Sequence, residues 1–547
     1  MNQEETLALF AKGCDAWNAW AEKLLADRER LRKEGGWQEA DFDEEPSWKT
    51  KDWLDAAKAD FAEQEFPKDA DFQQLIFPGE AEFTKATFSG NAPFRKATFS
   101  GTAEFEGATF LGDAWFNGAT FSGDAGFAEA TFSGDAWFNG ATFSGHARFD
   151  KAIFSGDARF IDETTFSGDT WFNGAEFKGL AWFAGATFSR RAEFIGATFS
   201  GNAVFTGAKF REIGVFNAAT FSDDAQFGGA RFGDEKFTGR AYFKKATFSG
   251  DTWFGGAKFG DIAVFELAAF EGSTSFDSAE FKEDASFLAI DVKTVFSLAG
   301  TTFRRVPDFI QAHFAEAPRL DDLRIEPRRF WRRTRTRVGK ALLAARWRAL
   351  KRLAIQGHDH ARELRFFRGE LLARRWSEDK PWHAAFWFGV IYQLLSDFGR
   401  SILRPLLWLS ASVVFFTDRY LSLHPRFEGK SSPLVDWLFY RLSSSDVEAT
   451  PLACVAGSVT PWLDALFLSV HKGLLILGGL PGEKLNQIYA CLYGIQPSNG
   501  GQPSRLPESF TPVIPDGATA WGLLQYPLSA VLIFLALLAI RNHFRIK

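Results

Sequence analysis

The sequence is poor in the residues that most often carry chemistry. Among 547 residues there are three cysteines, eight histidines and one methionine. Cys14, Cys454 and Cys491 have no metal-ligand spacing and are too few for a disulfide framework across the chain. His358 and His360 stand two apart, which turns their imidazoles to different faces of a helix and is poor geometry for a shared metal. No G-x-S-x-G, Walker A or H-E-x-x-H stretch occurs. Residues 1–13 carry acids where a secretory signal carries bases, so no signal peptide is expected. These absences argue against an enzyme and give no reason to expect a metal or a cofactor.

What the chain has in excess is phenylalanine, 62 residues against 7 tyrosines. From residue 72 to 303 it returns with a fixed alternating step of five and six. Phe83, Phe88, Phe94, Phe99, Phe105 and Phe110 open the series, and Phe132 and Phe138 continue it. Alanine usually stands two places before each Phe. The unit is A-x-F-S-G-D followed by A-x-F-x-G, eleven residues in two halves. An eleven-residue period also suits a supercoiled helix. But glycine recurs in nearly every unit, at a cost of about 1 kcal/mol each in a helix. Ala-x-Phe is an i, i+2 pair, which puts both side chains on one face of a strand. Ser-Gly-Asp is turn chemistry. Each half is therefore read as a very short strand and a corner, and such units must stack into a solenoid to bury a face.

The tandem A-x-F-x-x halves resemble the pentapeptide-repeat family over about 230 residues. The resemblance implies a right-handed parallel β-helix of square cross-section, with four half-repeats per coil. Phe83, Phe88, Phe94, Phe99, Phe132 and Phe138 would then be interior ladder residues. The extra residue in every second half departs from the family pattern and implies coils of 22 residues rather than 20. At about 4.8 Å per coil, ten or eleven coils give a rod of roughly 50 Å. Some members of the family imitate duplex DNA, which needs continuous negative charge. Residues 71–300 carry 30 acids and 19 bases, −11, interspersed along the rod, so nucleic acid is not the expected partner.

Four segments follow. Residues 1–66 are read as a helical cap and an acidic lead-in. One helix over 6–33 would carry Leu7, Phe10, Cys14, Trp17, Ala21, Leu24 and Leu31 on one side and cover the first coil's open edge. Residues 67–310 are the β-helix. Residues 311–400 are a basic linker of two helices in a hairpin, followed by an interfacial helix. Between 328 and 376 there are 16 bases and 3 acids, +13, placed just before apolar segments, which favours an anionic lipid surface over nucleic acid.

Residues 401–547 are expected to enter a membrane. A first span runs from about 402 to 423 with Arg404 snorkelling. A second covers 521–540. Between them, a short helix from 461 to about 475 carries His471 and Lys472, and a return passes Gly478, Gly479 and Gly482, which together read as a re-entrant loop. Span, re-entrant helix and span is similar in layout to a two-helix ion-channel module, but the T-V-G-Y-G filter is absent. Arg400 and Arg404 before the first span and Arg541, Arg545 and Lys547 after the second put both flanks on the cytoplasmic side. The expectation is a bacterial inner-membrane protein with two spans and a cytoplasmic rod, in contact with the bilayer and an unidentified protein partner, and open to self-association. Two functions fit: a non-enzymatic scaffold that presents the rod for binding or sensing, and a gated pore with the rod as sensor. Cys454 and Cys491 bracket the re-entrant segment. They form a disulfide if that loop meets an oxidising compartment, and are otherwise two buried thiols.

Overall fold

The computed structural model describes residues 1–37, 47–233, 239–326, 337–375, 378, 382–424, 461–474, 482–493 and 511–545. The chain divides into two compact units, 1–358 and 359–547.

The first unit is a parallel β-solenoid with four faces. Among the described residues its 45 strands, nearly all two residues long, form sheets of 11, 10, 12 and 12 strands. In chain order around a coil the faces are here numbered 1 to 4. Face 1 contains Ala81–Glu82 and Ala103–Glu104; face 2, Thr87–Phe88 and Thr109–Phe110. Face 3 contains Ala92–Pro93 and Ala114–Trp115; face 4, Thr98–Phe99 and Thr120–Phe121. Ala81 pairs with Ala103 and Phe99 with Phe121, so a coil takes 22 residues, as the alternating step requires. Near residue 162 the register widens, Thr142 pairing with Thr165. It widens again from Ile213 to Arg240. The ladder resumes after each.

The expected interior is present. Phe83, Phe88, Phe94, Phe99, Phe132 and Phe138 are all buried, as are the alanines two places before them. Rings stack along the axis: Phe110 to Phe132 and Phe132 to Phe154 are both 4.8 Å, nearly parallel. That separation is the strand spacing, so the backbone sets the stack. Across the coil Phe132 meets Phe138 edge-on at 6.1 Å and 79°, an arrangement the ring quadrupole favours.

The alternating step has its cause in two kinds of corner. The five-residue halves close through a residue in the left-handed region, such as Gly107 or Gly118, with φ 65°. Lys85 and Lys96 occupy the same place at φ 56° and 55°. The six-residue halves close through Ser-Gly-Asp. Its glycine is needed for a different reason: a Cβ on Gly112 would lie 2.6 Å from the Gly90 carbonyl oxygen one coil below. The Asp then ties coil to coil. Asp113 Oδ1 accepts from Asp135 N, and Asp135 Oδ1 accepts from Asp157 N, each at 3.0 Å.

The solenoid exceeds 67–310 at both ends. It begins at Ala59–Asp60 and reaches Arg324–Ile325, with twelve strands on two faces rather than ten or eleven. The last coils escape the Phe pattern because Val and Leu take the ring position, as Val292, Leu298 and Leu320, all buried, show.

The N-terminal end is capped by two helices, α1 (Gln3–Phe10) and α2 (Cys14–Lys33), where one was expected. Gly13, at φ 86°, breaks them. The break lets Phe10 stack on Phe72 at 4.7 Å while Trp17 lies on Phe61. Trp17 Nε1 donates to the Ile76 carbonyl at 2.9 Å, and Asn18 bonds both Gln74 O and Ile76 N. Exposed strand edges are thus satisfied by side chains. A third helix, α3 (Trp48–Ala57), lies in the stretch expected to be irregular; Trp53 Nε1 donates to Leu24 O at 2.7 Å. At the other end α4 (Arg337–Gln356), expected to be a linker, is bound to the last coils. Arg346 pairs with Asp284 and Asp308, each at 3.3 Å, and Gln356 donates to Phe314 O.

The second unit is helical: α5 (His360–Arg374), α6 (Ala384–Ser396), α7 (Leu403–Ser422), α8 (Pro461–Gly473), α9 (Gly482–Tyr493) and α10 (Asp516–Arg545). Phe416, Tyr420, Leu421, Ala465, Leu468, Tyr489, Leu492 and Ala518 form its core. The turn from α6 to α7 is held in the left-handed region over three residues, Asp397, Phe398 and Gly399. Arg368 pairs with Asp397 at 3.0 Å, and Phe398 is buried beside Tyr392.

Candidate functional site

The residues first singled out fall into two groups. The ladder phenylalanines are interior and structural. Among the described residues no cluster of His, Cys, Asp or Glu could hold a metal ion. The corner aspartates bond backbone amides of the next coil, which accounts for their recurrence without a ligand.

In the helical unit, His471 and Lys472 end α8. The Lys472 stem lies within 3.5 Å of where a Gly522 side chain would begin, and its ammonium stands 5.8 Å over the Tyr489 ring. A cation on an aromatic face is a way to keep it beside apolar helices. Gly478 and Gly479 lie outside the described residues. Gly482 starts α9. That helix was overlooked, although Leu485, Ile488, Tyr489 and Leu492 fall at helical spacing. Its polar residues and flanking glycine and proline disguised it as loop. Cys491, buried on α9, is disulfide-bonded, and Cys14 is free. Cys454 lies outside the described residues.

α8 is held against α7 and α10 by a buried polar network. Gln525 Nε2 donates to Ser469 O at 2.8 Å and to its hydroxyl at 2.9 Å. Tyr420 OH donates to Gln525 Oε1 at 3.1 Å, and Ser469 Oγ to Val413 O at 2.8 Å. Gln525 is buried in the middle of an apolar helix, where an amide must find internal partners. Sequence reasoning passed over it as a single polar residue in an apolar run.

The strongest surface feature was also missed. Outward positions on face 3 read Pro93, Trp115, Trp137, Arg159, Trp182 and Val204 on successive coils. The Arg95 guanidinium lies 4.3 Å over the Trp115 ring, and that of Arg159 4.3 Å over Trp137. Among the described residues, half the strands of faces 2 and 4 carry threonine in this position, and none carries Trp, Tyr or Phe there. The signal was the x of A-x-F, which a search for the period discards as variable.

The pentapeptide repeats family, in nine copies, matches residues 72–120, 83–131, 116–162, 160–198, 194–235 and 236–279. The solenoid is a pentapeptide-repeat domain. Comparison of the chain with curated proteins and with solved structures gives no match. The pentapeptide-repeat domain here has 22-residue coils, with Phe as its interior residue and both ends closed by helices of the same chain.

Among the described residues, one helix is long and apolar enough to cross a membrane by length and composition: Asp516–Asn542, with mean hydropathy 2.3 and 39% of its most apolar stretch buried. Leu523, Leu524, Phe534 and Leu537 on it are more than half exposed. α7 has the length of a span but carries Arg404, Asp418 and Arg419. Asp418 and Arg419 pair at 2.7 Å.

Proposed function

We propose that the chain is a non-enzymatic, membrane-anchored scaffold whose pentapeptide-repeat domain presents a rigid surface for protein binding or sensing. The observation that carries the reading is α10. A helix of that hydropathy with exposed Leu and Phe side chains needs an apolar surrounding, and lipid supplies it. α6 adds to this, with Trp387, Phe388, Ile391 and Leu394 exposed on a helix expected at the headgroup level. In this reading α7 is the second span, its Arg404 snorkelling, and the domain lies on the cytoplasmic side. Alkaline carbonate treatment of membranes is the test. The chain should stay with the membrane fraction, and its release would end the proposal.

A gated pore is the second reading. It is favoured by one observation, the packing of α8 between α7 and α10 through Gln525 and Ser469. Ion flux into liposomes holding the purified chain decides it: flux abolished by Gln525→Leu would support a pore, and no flux from any preparation would leave the scaffold.

A further inference from the structure

Face 3 carries four outward tryptophans, Trp115, Trp137, Trp182 and Trp253, where face 1, among the described residues, has only Trp171. On the margin before each strand, Asp113 and Asp135 use Oδ1 for the next coil's amide. Among the described residues neither Oδ2 takes part in a bond. On the other margin of the same two coils stand Asn117 and Asn139, whose Oδ1 atoms are buried without a partner and whose amide nitrogens make no bond among the described residues. In these two coils one edge therefore offers acceptors and the other donors, with Trp115 and Trp137 between. Tryptophan and arginine in a patch rimmed by polar groups are the composition of an interface centre.

We propose that face 3 pairs with face 3 of a second copy of this chain, the two solenoids side by side and parallel. A two-fold axis along the rods sets each Trp opposite its own counterpart. It also brings the Asp113 and Asp135 margin of one copy against the Asn117 and Asn139 margin of the other. An antiparallel pair instead sets acid margin against acid margin, so the charge pattern selects the parallel sense. The eight strands from Pro93 to Trp253 run about 38 Å along the axis at ordinary strand spacing. Anchorage in one bilayer would also hold two rods parallel; that support alone rests on the membrane reading.

The test uses the full chain in detergent with Cys14→Ser, adding Gln226→Cys on face 3 or Thr131→Cys on face 2. Packed sheets stand about 10 Å apart, beyond a direct disulfide, so a short bismaleimide is the probe. Gln226→Cys should give a covalent dimer and Thr131→Cys none. Light scattering should show a dimer that Trp115→Ser with Trp137→Ser converts to monomer without loss of the β circular dichroism signal. A monomeric native chain, or a dimer that Gln226→Cys fails to trap, overturns the proposal. Carbonate release of a chain that still cross-links would defeat the membrane reading and leave the pairing intact.

Discussion

Replacing Phe132 by alanine removes a ring with no exposed surface from the middle of the ladder. The ring stacks on Phe110 and Phe154 at 4.8 Å and meets Phe138 edge-on at 6.1 Å. The transfer term for such a side chain is about 1.5–3 kcal/mol. The cavity left between rings that backbone spacing prevents from closing raises the total to about 3–5 kcal/mol. Because each coil touches only its neighbours, the loss should be local to a few coils. Hydrogen exchange read by mass spectrometry is the suitable assay, since one melting temperature is poorly defined for a chain of two units. Amides of Thr109–Phe110, Thr131–Phe132 and Ile153–Phe154 should exchange about a hundred- to a thousandfold faster or more, at about 1.4 kcal/mol per decade. Thr131→Asp, outward and between Thr109 and Ile153, should change exchange little, within about 0.5 kcal/mol. Equal exchange in the two variants would refute the interior ladder.

Three further outcomes are expected. Gly112→Ala should destabilise by about 1–3 kcal/mol through overpacking against the Gly90 carbonyl, while Gly107→Lys should cost less, since Lys85 already holds that corner; urea denaturation of both checks the order. Burial, then the charges of Glu82 and Glu106, push the Glu104 carboxyl above its ordinary range. Its contribution is therefore favourable below the unfolded value and is lost as pH rises through the folded one; Glu104→Gln should stabilise near neutral pH, with the gain vanishing in acid, as denaturation across pH would show. A disulfide between Cys454 and Cys491 predicts one cysteine, Cys14, tagged by a maleimide in the denatured non-reduced chain and three after reduction; three before reduction would refute it.

The sequence by itself determined the solenoid. Its period is carried by side chains two residues apart, and strand geometry turns any such period into one buried face. The 22-residue coil was likewise legible, because each extra residue recurs at fixed positions. A helical cap before the first coil was legible because an open strand edge needs a cover. Tertiary structure decided what depends on contacts far apart in the chain. That α4 closes the solenoid rests on Arg346 meeting Asp284 and Asp308, which no local pattern announces. Val292 and Leu320 extend the coils past the Phe motif because burial accepts an aliphatic group in place of the ring. Gln525 reads as an isolated polar residue until folding brings Ser469 and Tyr420 to it. Trp115 and Trp137 stand 22 residues apart and Trp182 a further 45, and only stacking of coils makes them one surface.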